Sequence, residues 1–145
     1  MRVIVVDDDA IVVRSLATIL GAEPDIEVEG TGTSGEEAVS LFSACEPDVV
    51  LMDIQMPGGD GLSAAEKILA ADPAARVVFL TTFSDDDYIV RALRLGARGY
   101  LIKQDVATIA PALRSVMAGQ SVLEGEVLAR AAALSADGVR PSRGE

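Results

Sequence analysis

Histidine is absent from the 145 residues, cysteine occurs once, at Cys45, and aromatic side chains make up only 3%. Without histidine there is no imidazole base, and a single thiol forms neither an internal disulfide nor a cysteine cluster, so thiol, zinc and imidazole chemistry have no support. Lysine is nearly missing too. Of the 12 basic residues only Lys67 and Lys103 are lysines, which suggests a role beyond charge for a position that keeps one. Long apolar runs are also missing: the "VIVV" after Arg2 is too short for a signal peptide, and no stretch approaches the roughly 20 residues of a membrane span. The expectation is a soluble, cytoplasmic protein with no membrane contact. Finally, bases fall short of the 23 acids and leave a formal net charge of -11. Such a field repels phosphate backbones and anionic lipid, so these residues alone are a poor match for DNA.

Half of the chain is hydrophobic, and that half is mostly Val, Ile, Leu and Ala, the usual filling of a parallel sheet covered by helices. The length fits one domain with a real core. Apolar runs recur at 3–6, 26–28, 49–52, 77–80 and 99–102. Between them lie helix-period segments: Ile11, Val12, Leu16, Ile19 and Leu20, then Ala38, Leu41 and Phe42, then Leu62, Ala65, Ile68 and Leu69, then Ile89, Ala92 and Leu93, and last Leu113, Val116 and Met117. A β-α alternation repeated five times implies a parallel sheet with helices on both faces. Ser34 and Ser84 stand where helix N-caps belong, and Pro47, Pro57 and Pro73 fall between elements. Pro111 lies inside the last helical segment, so that helix either starts near Thr108, with the proline in its first turn, or is kinked. The domain is expected over residues 1–120, with 121–145 a linker or tail holding at most one short helix.

Open α/β sheets bind ligands beyond the carboxyl ends of their strands, at the point where strand order reverses. The first run is followed by Asp7, Asp8 and Asp9, the second by Gly30, Thr31 and Gly32, the third by Asp53, the fourth by Thr81 and Thr82, and the fifth by Lys103. In a sheet of order 2-1-3-4-5 the acids of the first and third strands converge, with Thr81 and Lys103 alongside. Taken singly each has an ordinary explanation: a capping aspartate, a loop acid before "IQMPGGDG", a late strand residue, a solvated strand end. Their joint placement on one edge does not. Clustered carboxylates suit Mg²⁺, and a carboxylate beside that cation can attack phosphorus to form an acyl phosphate. An ammonium and a hydroxyl then balance the phosphoryl oxygens, and Lys103 and Thr81 supply them.

Together, "VVDDDA", "LMDIQMPGGDGL", "VVFLTT" and "GARGYLIK" resemble the receiver domain of bacterial two-component response regulators. "RALRLGARGYLIK" and "VMAGQSVL" are most similar to its LuxR/NarL-type subfamily. The resemblance implies a flavodoxin-like, doubly wound (βα)5 three-layer sandwich. It implies that Asp53 is the phosphoacceptor of a sensor histidine kinase, with Mg²⁺ bound directly by Asp8, through water by Asp7, and by Asp53 and the Gln55 backbone carbonyl. Asp9 is left as the surplus acid, a first-turn or capping residue of the next helix. Thr81, with Thr82 beside it, corresponds to the switch hydroxyl, Tyr100 to the switch aromatic and Lys103 to the phosphate-binding lysine. Gln55 and Phe83 correspond to positions that tune access of water to the acyl phosphate. Such a domain is a phosphoacceptor with self-catalysed phosphorylation and dephosphorylation rather than an enzyme in the ordinary sense. It dimerises when phosphorylated and meets DNA only through a C-terminal effector of roughly 60 residues, which these residues do not include. Two positions depart from the pattern: Gln104 stands where proline commonly follows the lysine, and Pro111 interrupts the last helix.

Two rivals share parts of this pattern. A haloacid-dehalogenase-like phosphatase would use Asp7 as nucleophile, Asp9 as acid/base and Thr81 and Lys103 as later motifs, but it leaves Asp53 without a role and lacks a further acid pair. A flavin carrier shares the fold class, yet three carboxylates in its first loop would repel the cofactor phosphate.

Overall fold

In the computed structural model, which describes residues 1–56, 61–81, 86–103 and 106–123, the five expected strands form and lie in the expected order. They are β1 (Arg2–Val6), β2 (Glu27–Gly32), β3 (Val49–Asp53), β4 (Val77–Thr81) and β5 (Gly99–Ile102). Helices α1 (Ala10–Gly21), α2 (Gly35–Cys45), α3 (Gly61–Ala71) and α4 (Asp86–Leu95) connect them, and α5 (Ile109–Met117) follows a short 3-10 turn. A sixth strand that the sequence did not announce, β6 (Val122–Leu123), adds a parallel edge to β5. The sheet therefore runs β2-β1-β3-β4-β5-β6, every pairing parallel, and its order reverses between β1 and β3.

Strand alternation divides the core into two layers. Ile4, Val6, Val50, Met52, Val77, Phe79 and Tyr100 share one layer with Ala38 of α2, Leu62, Ala65 and Ile68 of α3, and Ile89 and Ala92 of α4. Their strand neighbours Val3, Val5, Val49, Leu51, Val78, Leu80 and Leu101 meet Leu16 and Leu20 of α1 and Leu113 and Val116 of α5. Because β1, β3, β4 and β5 are buried on both faces, they read as unbroken apolar runs.

Three local expectations need correction. The run at 26–28 was too short for β2, which continues through Gly30, Thr31 and Gly32. Glycine pairs there read as a turn, but here they let α2 close on an edge strand: a methyl group at Gly30 would lie 2.9 Å from Leu41 Cδ2, and one at Gly32 would lie 3.0 Å from Glu37 Cβ. Helix α1 buries Val13, Leu16 and Leu20, spaced i, i+3 and i+7, and leaves Ile11 74% exposed and Ile19 41% exposed. Apolar residues all round the helix blurred the period. On α4, which is amphipathic, Ile89 and Ala92 are buried and Leu93 lies at the margin of the buried face, 39% exposed.

Pro111 resolves to the first alternative, since α5 begins at Ile109 and the proline occupies its first turn, where a missing N–H costs no helical bond. Ser34 caps α2 as expected, its hydroxyl accepting from the Glu37 N–H at 3.1 Å. Pro57, Ser84, the Lys103–Gln104 peptide and the helix considered beyond Ser121 lie outside the described residues.

Candidate functional site

The parallel strands all end at the same edge of the sheet, so the residue after each strand is delivered to that edge. Asp7 follows β1, and its N–H donates to the Gly32 carbonyl at 3.1 Å, which seats it between β1 and β2. Asp53 ends β3 beside it, in register with Leu80 of β4. Asp7 and Asp53 are buried, Asp8 is exposed, and one carboxylate oxygen from each of the three lies within 4.8 Å of the others. Lys103, one residue past β5, donates its backbone N–H to the Thr81 carbonyl at 2.7 Å. That bond turns its side chain across the edge, with Nζ 2.5 Å from Asp7 Oδ2 and 3.3 Å from Asp53 Oδ2.

The electrostatics follow from this geometry. Burial pushes the Asp53 carboxyl up from 3.8 to about 6; the Lys103 charge opposes the rise, the Asp7 charge adds to it, and a bond from the Gln55 N–H to Asp53 Oδ1 at 3.3 Å opposes it. Burial works against the Lys103 ammonium, but the bond to Asp7 and the charges of both aspartates outweigh it and hold the lysine above its ordinary value. Lys103 is thus a fixed cation between two carboxylates. Three oxygen donors of this kind, one facing solvent, fit a hard divalent cation that keeps several waters, such as Mg²⁺. Bound there, it would supply positive charge to phosphoryl oxygens that this acidic pocket would otherwise repel.

The third aspartate does something else. Asp9 turns its carboxylate back to α1, where Oδ1 accepts from the Ile11 N–H at 2.9 Å and the Val12 N–H at 3.4 Å, while its own N–H donates to Asp7 Oδ1 at 2.9 Å. It is the N-cap of α1, and its backbone orients Asp7. An acid/base role for Asp9 is not favoured, and the phosphatase alternative weakens with it. Asp9→Ala is expected to cost about 1 kcal/mol of stability, read from the urea midpoint, while Mg²⁺ affinity in a calorimetric titration stays at the parent value. A tenfold loss of affinity would place Asp9 among the ligands instead.

Thr81 closes β4 and is buried, one residue beyond the Leu80 that pairs with Asp53. Tyr100 lies in β5 opposite Phe79 and is 1% exposed, its ring edge-on to Phe79 with centroids 6.5 Å apart. Gln55 is exposed, just past β3. The structure thus brings Asp7, Asp8, Asp53, Gln55, Thr81 and Lys103 to one edge and sets Tyr100 in the core beneath it. Thr82 and Phe83 lie outside the described residues. One residue the sequence reading passed over is Gly61, which opens α3 against the backbone of Asp53. Its only signal was a glycine at the first helical position, hidden within a glycine-rich turn.

A family model described as the response regulator receiver domain matches residues 3–114. Among curated proteins, the chain is 38% identical over 129 residues to the transcriptional regulatory protein DesR of Bacillus subtilis, covering 88% of this chain and 64% of that protein. It is 40% identical over 128 residues to the transcriptional regulatory protein LiaR of the same organism, covering 88% of this chain and 61% of that protein. The chain therefore spans somewhat less than two thirds of these relatives. A crystal structure of a LuxR-family two-component response regulator from Aurantimonas sp. SI85-9A1 superposes with a TM-score of 0.88 at 28% identity, covering 93% of this chain and 97% of that one.

Proposed function

The chain belongs to the response regulator receiver domain family, in its LuxR/NarL-type branch, and on that premise we propose that Asp53 accepts a phosphoryl group from a sensor histidine kinase in a Mg²⁺-dependent reaction. An Asp53 carboxylate oxygen forms the new P–O bond as the P–N bond of the donor phosphohistidine breaks. The bonding pair leaves with the imidazole nitrogen, and the product is an acyl phosphate. Asp8, Asp53 and the Gln55 carbonyl would hold the cation, with Asp7 through water, and the cation would supply positive charge to the phosphoryl oxygens. Lys103 supplies an ammonium to the phosphoryl oxygens, a compact charge that an arginine fork would not replace. The observation that supports this reading most is the placement of Lys103 Nζ within 3.3 Å of Asp53 and closer still to Asp7, beside the three-carboxylate cluster.

In this proposal Thr81, with Thr82, turns toward the phosphoryl group and Tyr100 follows inward, while Gln55 and Phe83 set how readily water hydrolyses the acyl phosphate. Residues 1–120, with the β6 edge at Val122–Leu123, act as the receiver. The phosphorylated form pairs with a second copy in the cytoplasm and controls transcription through a C-terminal DNA-binding effector outside these residues. The net charge of -11 agrees that DNA is not met here.

Intact-mass analysis after incubation with acetyl phosphate and Mg²⁺ tests the reading. The parent is expected to gain one phosphoryl group that is lost at alkaline pH, and Asp53→Asn is expected to gain none. An Asp53→Asn chain that still took up phosphate, or an Asp7→Asn variant that alone lost it while the parent hydrolysed phosphomonoesters, would return the assignment to Asp7.

A further inference from the structure

We infer that Gly61 is a positioning residue for the phosphoacceptor. The inference rests on the proposed role of Asp53, and it concerns how the fold holds that carboxylate in place. Gly61 is buried at the start of α3 and donates its N–H to the Ile54 carbonyl at 2.9 Å, tying the helix to the backbone that leaves β3. A methyl group at Gly61 would fall deep inside contact distance of the Asp53 carbonyl oxygen, 3.0 Å from Ile54 Cα and 3.2 Å from the Asp53 carbonyl carbon. All three of these neighbours are backbone atoms. Reaching ordinary contact requires the two segments to part by on the order of 1 Å.

Both segments resist that parting, so the strain falls on the strand end as well as on the helix. Helix α3 is seated by Leu62, Ala65 and Ile68, each at most 1% exposed, so moving it would open the core. Asp53 is the last residue of β3, and Ile54 beyond it is buried with its N–H bonded to the Leu80 carbonyl at 3.1 Å, so a shift there strains the peptides that carry the phosphoacceptor. Residues 53–55 carry two of the proposed ligands, and Mg²⁺ demands near-ideal octahedral geometry. Gly30 is also crowded but lacks this consequence. At Gly30 the nearest atom to an added methyl is the far end of the Leu41 side chain, on the β2 edge of the sheet.

The test is a calorimetric Mg²⁺ titration of the full chain, for the parent, Gly61→Ala and Gly30→Ala, with circular dichroism melts of each. Gly61→Ala is expected to melt cooperatively yet bind Mg²⁺ roughly tenfold or more weakly, and to slow acyl phosphate formation by about a hundredfold. Gly30→Ala is expected to lose thermal stability and bind Mg²⁺ like the parent. A folded Gly61→Ala chain with Mg²⁺ affinity within about twofold of the parent overturns the inference and leaves the phosphoacceptor reading standing. Equal losses of affinity in both variants also overturn it, because they mark a general loss of packing. If Gly61→Ala does not fold, the parent decides: its Gly61 amide resonance must shift with Mg²⁺ along the same saturation curve as the amides of Asp53 and Gln55, and an unmoved Gly61 amide overturns the inference. A parent that forms no acyl phosphate overturns the phosphoacceptor reading, and the inference falls with it.

Discussion

Lys103→Met is expected to lower the melting temperature of the metal-free chain by roughly 6–12 °C near neutral pH, corresponding to about 2–4 kcal/mol. The lysine Nζ lies 2.5 Å from Asp7 and 3.3 Å from Asp53, with side-chain exposures of 14%, 0% and 7% for the three residues. Removing the cation leaves two carboxylates facing each other in a pocket too dry to screen them. A buried pair broken on one side typically costs about 3–5 kcal/mol, and the solvent-facing side of this pocket places the loss somewhat lower. Two conditions relieve it. At pH 5 Asp53, already pushed up to about 6, takes a proton and removes one of the charges, and Mg²⁺ replaces the lost cation directly. The loss should therefore shrink both on acidification and on adding Mg²⁺, in scanning calorimetry of parent and variant in parallel. A melting temperature within about 2 °C of the parent in metal-free buffer would mean that Lys103 is solvated and that the ion pairs hold nothing together.

Asp53→Asn is expected to do the opposite and stabilise the metal-free chain as pH rises. The folded-state value of Asp53, about 6, lies above its ordinary 3.8, so the folded state binds the proton more tightly than the unfolded state does. The carboxyl's contribution is then fully present below about pH 4 and is lost as pH climbs through about 6. Asparagine keeps the shape and does not ionise. Relative to the parent the variant gains nothing at pH 4 and gains up to about 3 kcal/mol by pH 7, the rise from 3.8 to about 6 converted at 1.36 kcal/mol per pH unit. Saturating Mg²⁺ reverses the order, because the parent keeps a ligand that the variant has lost. Urea unfolding from pH 4 to 8, with chelator and then with Mg²⁺, reads both signs. A stability difference that stays flat with pH would show that Asp53 ionises freely in the folded chain. Metal-free stability and metal binding thus pull on one residue in opposite directions, as expected of a site built to hold an excess of negative charge until a cation arrives.

Five strands and five helices were legible in the sequence because strands buried on both faces must be continuous apolar runs, and each ran into a residue that breaks the pattern. The same rule failed where burial is one-sided. Edge strand β2 alternates and contains Gly30 and Gly32, so its last residues read as a loop, and two-residue β6 carries too little pattern to announce itself. Ile11 fits the helix period of α1 but is exposed, because an apolar residue at a helix start looks like a core position until the helix is seated. Asp7, Asp8, Asp53, Thr81 and Lys103 could be singled out as a group because a parallel sheet brings every strand's carboxyl end to one edge. Position along the chain was enough to gather them.

What the sequence determined by itself was therefore the alternation of elements, the excess of acid at the ends of the first and third strands, and the lone lysine after the fifth. All three are written in local composition, which physical chemistry reads without coordinates. The tertiary structure decided the surroundings of the aspartates after β1: Asp7 is buried against Lys103 and Asp8 is left to solvent, while Asp9 caps α1 as its place in the sequence suggested. It also decided that Gly61 closes on the backbone of Asp53. Adjacent identical residues differ only in the direction the backbone gives them, and a missing side chain matters only where another segment comes within a methyl group's reach. Direction and close approach belong to the folded chain.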